Sequence, residues 1–97
     1  MTARFTPTAE AKFLGVVAYI VDESPSAAWS FHDRALESTS RLRDYPHSGR
    51  VIPEFPALPH REVIVRPYRF FYHVVGEEVW IVDVWHDAQI PNEPSDR

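Results

Sequence analysis

The chain has 97 residues, a formal net charge of −4 and no cysteine, which is length for one domain with a thin core and excludes both a disulfide framework and a thiolate zinc site. With 44% hydrophobic and 25% charged residues it has the composition of an ordinary folded protein, not of a disordered chain. No apolar run approaches the ~20 residues of a membrane helix, and Met1 to Thr8 lacks the apolar core of a secretory signal, so the expected compartment is the cytoplasm.

In chain order, Ala3 to Thr6 reads as a short first strand. Thr6-Pro7 reads as an N-cap followed by proline at the first helical position. Phe13, Val16, Val17, Ile20 and Val21 then follow at the spacing of an amphipathic helix with one buried stripe. Ser24-Pro25 repeats the start signal, and a second helix is expected to run to about Arg43, with Ala28, Phe31, Ala35 and Leu42 on one face and Trp29 and Leu36 flanking it. The short Asp-Glu-Ser-Pro joint makes the two helices an antiparallel hairpin. Pro46 and Gly49 end the second helix. Pro53, Pro56 and Pro59 then make residues 51–60 an irregular stretch, too apolar for a free linker and expected to lie against the domain.

Arg61 to Arg66 reads as a strand that Pro67 interrupts, Tyr68 to Val75 as a second, and Glu78 to His86 as a third. Gly76-Glu77 suits a two-residue hairpin turn with glycine first. The predicted class is therefore α+β: an N-terminal strand (1–6), a helical hairpin (7–43), a proline-rich connection (44–60), a three-stranded antiparallel sheet packed on the helices (61–90) and a frayed tail (91–97).

With Val75 opposite Glu78, one face of the last hairpin carries Tyr68, Phe70, Tyr72 and Val74, opposite Trp85, Asp83, Ile81 and Val79. This more apolar face is expected to pack on the helices. The other carries Arg69, Phe71 and His73, opposite Val84, Val82 and Trp80, with His86 near the strand end. Large apolar groups beside ionisable ones on an outer face mark a binding surface, unless the proline-rich stretch or the first strand covers them.

Charge is uneven along the chain. Arg41, Arg43, Arg50, Arg61, Arg66 and Arg69 fall between 41 and 73 against Asp44, Glu54 and Glu62, and Lys12 is the only lysine. The planar guanidinium fork suits phosphate or carboxylate, while the same arginines can equally be solvated or paired within the domain. The acidic balance argues against a general nucleic-acid coat. The five histidines, His32, His47, His60, His73 and His86, show no metal-ligand spacing. No glycine-rich phosphate loop is present, so no metal and no cofactor is expected.

The ordered combination of a first strand, a helical hairpin, Leu42-x-x-x-Pro46-x-x-Gly49-Arg50, Arg61 before Val63-Ile64-Val65, Tyr68-Arg69-x-x-Tyr72 and a last strand ending at His86 resembles the RelE/ParE toxin superfamily. These are the toxin halves of bacterial type II toxin–antitoxin pairs, often labelled plasmid stabilisation proteins. The resemblance runs from Phe5 to about Gln89. It implies a growth-inhibiting toxin held inactive by a cognate antitoxin, which typically wraps the toxin with a helix and an extended segment.

Two activities compete within the superfamily. RelE-like members are ribosome-dependent mRNA endonucleases. On that branch the resemblance implies Arg61 and Arg69 as charge stabilisers and His86 as proton donor or acceptor, with Glu54 and Glu62 as weaker candidates for the base. ParE-like members bind DNA gyrase and block it without chemistry of their own. The acidic balance, the single lysine and the lack of a tyrosine or lysine after the last strand favour the ParE-like branch, with Arg50, Arg66, Phe71, His73 and Trp80 as the expected partner surface. In structural terms the same Arg61, Arg69 and His86 read as arginines paired with Asp83 or Asp87 and a histidine capping the sheet. A toxin-like module that only binds a partner is the third reading. Direct nucleic-acid contact is expected only on the ribosome.

Overall fold

The computed structural model describes residues 1–94 and contains β1 (Thr2–Phe5), α1 (Pro7–Glu23), α2 (Pro25–Ser40), a 3-10 turn (Arg41–Arg43), β2 (Arg50–Val51), β3 (Arg61–Val65), β4 (Tyr68–Val75) and β5 (Glu78–His86). Both helices begin as their sequences dictate. The Thr6 hydroxyl accepts the Ala9 N–H at 3.2 Å and the Ser24 hydroxyl accepts the Ala27 N–H at 3.2 Å, each just ahead of a proline. Ser24 also closes α1, since its own N–H donates to the Ile20 carbonyl. One residue therefore ends one helix and starts the next, which forces the sharp reversal of the hairpin.

On α1, Ala9 and Phe13 are buried, and Val16, Val17 and Ile20 pack against the core at their edges. Val21, expected in the same stripe, is exposed. At 100° per residue it lies about 80° round the helix from Phe13, too far for the sheet to reach. Ala28, Phe31, Ala35 and Leu42 are buried and Trp29 and Leu36 exposed, as their spacing predicts.

The sheet has five strands in the order β1-β5-β4-β3-β2, with β1 parallel to β5 and the remaining pairs antiparallel. The expected three-stranded antiparallel meander is its centre. The first strand extends that meander at one edge. At the other, Arg50 and Val51 pair with Glu62 and Arg61 in a strand too short for alternation to reveal.

The hairpin register holds from Val75↔Glu78 to Tyr72↔Ile81 and then shifts by one, with Phe71 opposite Asp83, Phe70 opposite Val84, Arg69 opposite Trp85 and Tyr68 opposite His86. Val82 is the extra residue of a β-bulge. Beyond it the expected faces of β5 are exchanged. Val84 joins Phe13, Phe31, Phe70, Tyr72, Val79 and Ile81 in the core beneath the helices, and Trp85 moves to the opposite side.

That opposite side is not an open surface. The chain between β2 and β3 folds across it, and Ile52, Phe71 and Val82 form a second buried cluster flanked by Phe55, Trp80 and Trp85. Phe71 is 0% exposed and Arg69 5%. The proline-rich stretch covers this face, which accounts for its many apolar residues. At the C-terminal end, Pro91 is buried and Pro94 half-buried; the rest of the expected frayed tail, residues 95–97, lies outside the described residues.

Candidate functional site

Two places in the structure gather polar or concave features. The first is a network of charges on the covered face of the sheet. Glu62, on β3, has a side chain with no solvent exposure and is gripped from two sides. Its Oε1 accepts from Arg69 Nε at 2.8 Å, and its Oε2 accepts from Arg50 Nε. The other edge of the Arg69 guanidinium donates to both carboxylate oxygens of Glu54, at 2.9 and 2.5 Å. Arg69 thus makes a two-pronged pair with one acid and a third bond to another, a geometry that only a planar fork can satisfy.

Gly49 lies beside this network. Its N–H donates to the Tyr72 hydroxyl at 2.9 Å and its carbonyl accepts from Arg61 at 2.9 Å. Gly49-Arg50, Glu62 and Arg69-x-x-Tyr72 are therefore one constellation that fastens the loop after α2 to the sheet.

The bonds within this constellation perturb its acids and bases. The Arg69 guanidinium, hydrogen-bonded to Glu54, holds the Glu54 carboxyl below its ordinary value of 4.5. The same two acids, Glu54 foremost, raise Arg69 further above its already high value, so its charge is permanent. Burial pushes the Tyr72 phenol up, keeping it neutral. Because the Glu54 value is depressed in the folded state, the stability it contributes is complete above its unfolded value and is lost as pH falls through the folded one. Thermal melts from about pH 7 to about pH 3 should show the midpoint falling below about pH 4.5. Glu54→Gln should lower the neutral midpoint modestly and flatten the acid limb, because Glu54 is partly exposed and its pairing is screened. Identical acid limbs for the two proteins would show that this pair does not set the acid response.

The three residues that the ribonuclease branch would need are not assembled. Arg69 projects to the covered face. Arg61 stands opposite Tyr72, and His86 opposite Tyr68, both with the helix-side parity. Those positions are four residues apart along β4, ~13 Å. His86 accepts the Ala88 N–H on Nδ1 at 2.9 Å and meets the Tyr68 ring edge-on, so it caps the strand end.

The expected partner set is dispersed as well. Phe71 lies in the second core, and His73 and Trp80 are half-buried beside it. His73 stacks on buried His60 at 4.3 Å. Arg50 is tied to Glu62, and exposed Arg66 sits in the β3–β4 turn, 3.8 Å from Asp87. The expected pairings with Asp83 and Asp87 go to other cations, since Asp83 takes Lys12 at 2.7 Å and Asp87 takes Arg66. Among the described residues no three His, Asp or Glu side chains are grouped to hold a metal ion.

The second place is a groove of about 920 Å³ between the helical hairpin and the end of the sheet. Helix α1 contributes one face, Lys12, Gly15, Val16, Tyr19, Ile20 and Glu23, at helical spacing. Phe31 and Arg34 of α2 and Tyr68, Val84, Trp85 and His86 of the hairpin form most of the remaining lining. Burial pushes the Tyr68 phenol up, so this side chain stays neutral. At the rim, Lys12 lies 4.1 Å over the Trp85 ring while it pairs with Asp83, and Arg34 donates to the Arg66 carbonyl. Of this lining, only His86 is among the site residues expected from the sequence. A signal was present in Gly15 and Tyr19, two residues on α1 that do not serve the buried stripe.

Comparison with known proteins gives the arrangement a family. Residues 3–91 match the family model described as ParE toxin of type II toxin-antitoxin system, parDE. A solved structure described as the chromosomal ParDE TA system from P. aeruginosa is similar in fold, with a TM-score of 0.70 at 20% identity, over 89% of this chain and 95% of that one. No curated protein sequence matches. No helix among the described residues is long and apolar enough to cross a membrane. With the family model spanning almost the whole chain, the protein belongs to the ParE toxin family of type II toxin–antitoxin systems, whose partner is a cognate antitoxin.

Proposed function

We propose that this ParE-family toxin inhibits growth by binding a cellular protein, DNA gyrase, and that its cognate antitoxin neutralises it by occupying the groove between the helical hairpin and the sheet end. The observation that carries this reading is the employment of Arg61, Arg69 and His86. Each is bonded into the fold, and Arg69 is on the opposite face of the sheet from the other two. A phosphodiester cleavage needs cations and a proton-transfer group converging on one phosphate, and these three do not converge. The groove is a concave, predominantly apolar surface and has the character of a docking site.

Purified toxin should inhibit supercoiling by gyrase in a concentration-dependent way and leave mRNA intact in a translating extract. Cleavage of mRNA at the ribosome, abolished by His86→Ala in a protein that still melts like the wild type, would replace this reading with the ribonuclease one. Inactivity in both assays together with tight antitoxin binding would reduce the protein to a partner-binding module.

A further inference from the structure

The three glycines of the chain have different reasons to be glycine. Gly76 has φ +59°, and at Gly49 an added Cβ would collide with its neighbours. At Gly15 neither reason holds. It sits in the interior of the 17-residue helix α1, and a Cβ built there meets nothing within 4 Å. Glycine is the poorest helix former apart from proline, so the fold of this chain alone would be better served by alanine. Gly15 lies on the wall of the groove, beside Val16 and one turn from Tyr19, which is 63% exposed. A helix wall stripped of its side chain at that point admits another backbone closer than any other residue type allows.

Charge points to the occupant's character. The exposed surface of the helical hairpin is mostly acidic, with Glu10, Asp22, Glu23, Asp33 and Glu37, on a chain of net charge −4. The groove instead carries Arg34 and Lys12, the latter paired with Asp83, against Glu23. The bonds of Arg34 go to a neutral carbonyl and leave its positive charge available to a ligand.

We infer that Gly15 is the point where the antitoxin's main chain crosses helix α1, with apolar antitoxin side chains in the groove and an acidic one against Arg34. The inference rests on the groove being the antitoxin's seat. It adds that affinity depends on an unfilled Cβ position, so one methyl group at residue 15 should weaken binding while strengthening the helix.

The test uses full-length toxin and the purified product of the antitoxin-like reading frame adjacent to the toxin gene, with affinity measured by calorimetry and stability by thermal melting. Gly15→Ala should raise the melting midpoint by ~4–8 °C and weaken antitoxin binding at least about tenfold. Arg34→Glu should weaken it as well. Tyr19→Asp, at an exposed position, reports on the groove independently of Gly15. If Tyr19→Asp weakens binding and Gly15→Ala does not, the groove remains the seat and the close approach at Gly15 is wrong. If neither variant weakens binding, the antitoxin sits elsewhere and both readings fall. A lowered melting midpoint for Gly15→Ala would overturn the premise that the fold does not need this glycine.

Discussion

Arg69→Ala is expected to cost about 3–5 kcal/mol of folding stability, because it leaves buried acid without its principal partner. The Glu62 side chain has no solvent exposure, and removing Arg69 leaves it with Arg50 alone, whose own side chain is 61% exposed. Glu54 loses both of its bonds to the guanidinium. Set against a total of about 5–15 kcal/mol for a domain, the loss is enough to leave a substantial unfolded population at physiological temperature. Arg69→Lys should recover little. A single ammonium cannot grip both oxygens of Glu54 while also donating to Glu62. Arg69→Met combined with Glu62→Gln should recover more than lysine does, since it removes the stranded charge. Urea titrations of the four proteins would check the order. Wild-type stability for Arg69→Ala would return Arg69 to the list of functional residues, and its loss in an activity assay could then be read as chemistry. Without that control, inactivity of an Arg69 variant would say nothing about catalysis.

Gly49→Ala should be nearly as severe, at about 2–3 kcal/mol. An added Cβ would stand 2.6 Å from the Glu62 carbonyl oxygen, 2.6 Å from Tyr72 Cε1 and 2.7 Å from the Tyr72 hydroxyl. Two of these atoms belong to a buried ring, and the third is backbone in the middle of the sheet. Nothing flexible can yield. Relief requires the loop to lift, which stretches the hydrogen bonds from Gly49 to Tyr72 and from Arg61 to Gly49. Tyr72→Phe combined with Gly49→Ala removes the hydroxyl contact but not the other two, and should restore less than half of the loss. A Gly49→Ala protein with an unaltered melting midpoint would show that the loop is not clamped to the sheet.

The legible parts of this fold are those written in local chemistry. Thr6-Pro7 and Ser24-Pro25 fix both helix starts because a hydroxyl and a missing N–H act within four residues. Gly76-Glu77 fixes the last hairpin for the same reason. The charge network was half visible. Pro46-x-x-Gly49-Arg50 and Arg69-x-x-Tyr72 stood out as a pattern, but their common purpose depends on Glu62 and Glu54 arriving from 7 and 15 positions before Arg69, a fact of pairing and not of spacing. Arginines that look suited to phosphate are used here on carboxylates, and composition does not distinguish the two. The covering of the outer face was present as an alternative, in the apolar character of residues 51–60, and Ile52 against Phe71 is its outcome. The groove was illegible, because its wall is made of residues on the flank of a helix whose buried stripe dominates the pattern.

The bulge at Val82 has an optical consequence. Trp80 and Trp85 are five residues apart, and a regular strand would send their side chains to opposite sides. One extra residue brings both against the cluster of Ile52, Phe71 and Val82 that the proline-rich arch covers, while Trp29 stands in solvent on the other layer. Two of the three indoles are thereby natural reporters of whether the arch is closed. In a Trp29→Phe background, tryptophan emission reads that layer and, through Trp85 beneath Lys12, the adjoining end of the groove, free of any label.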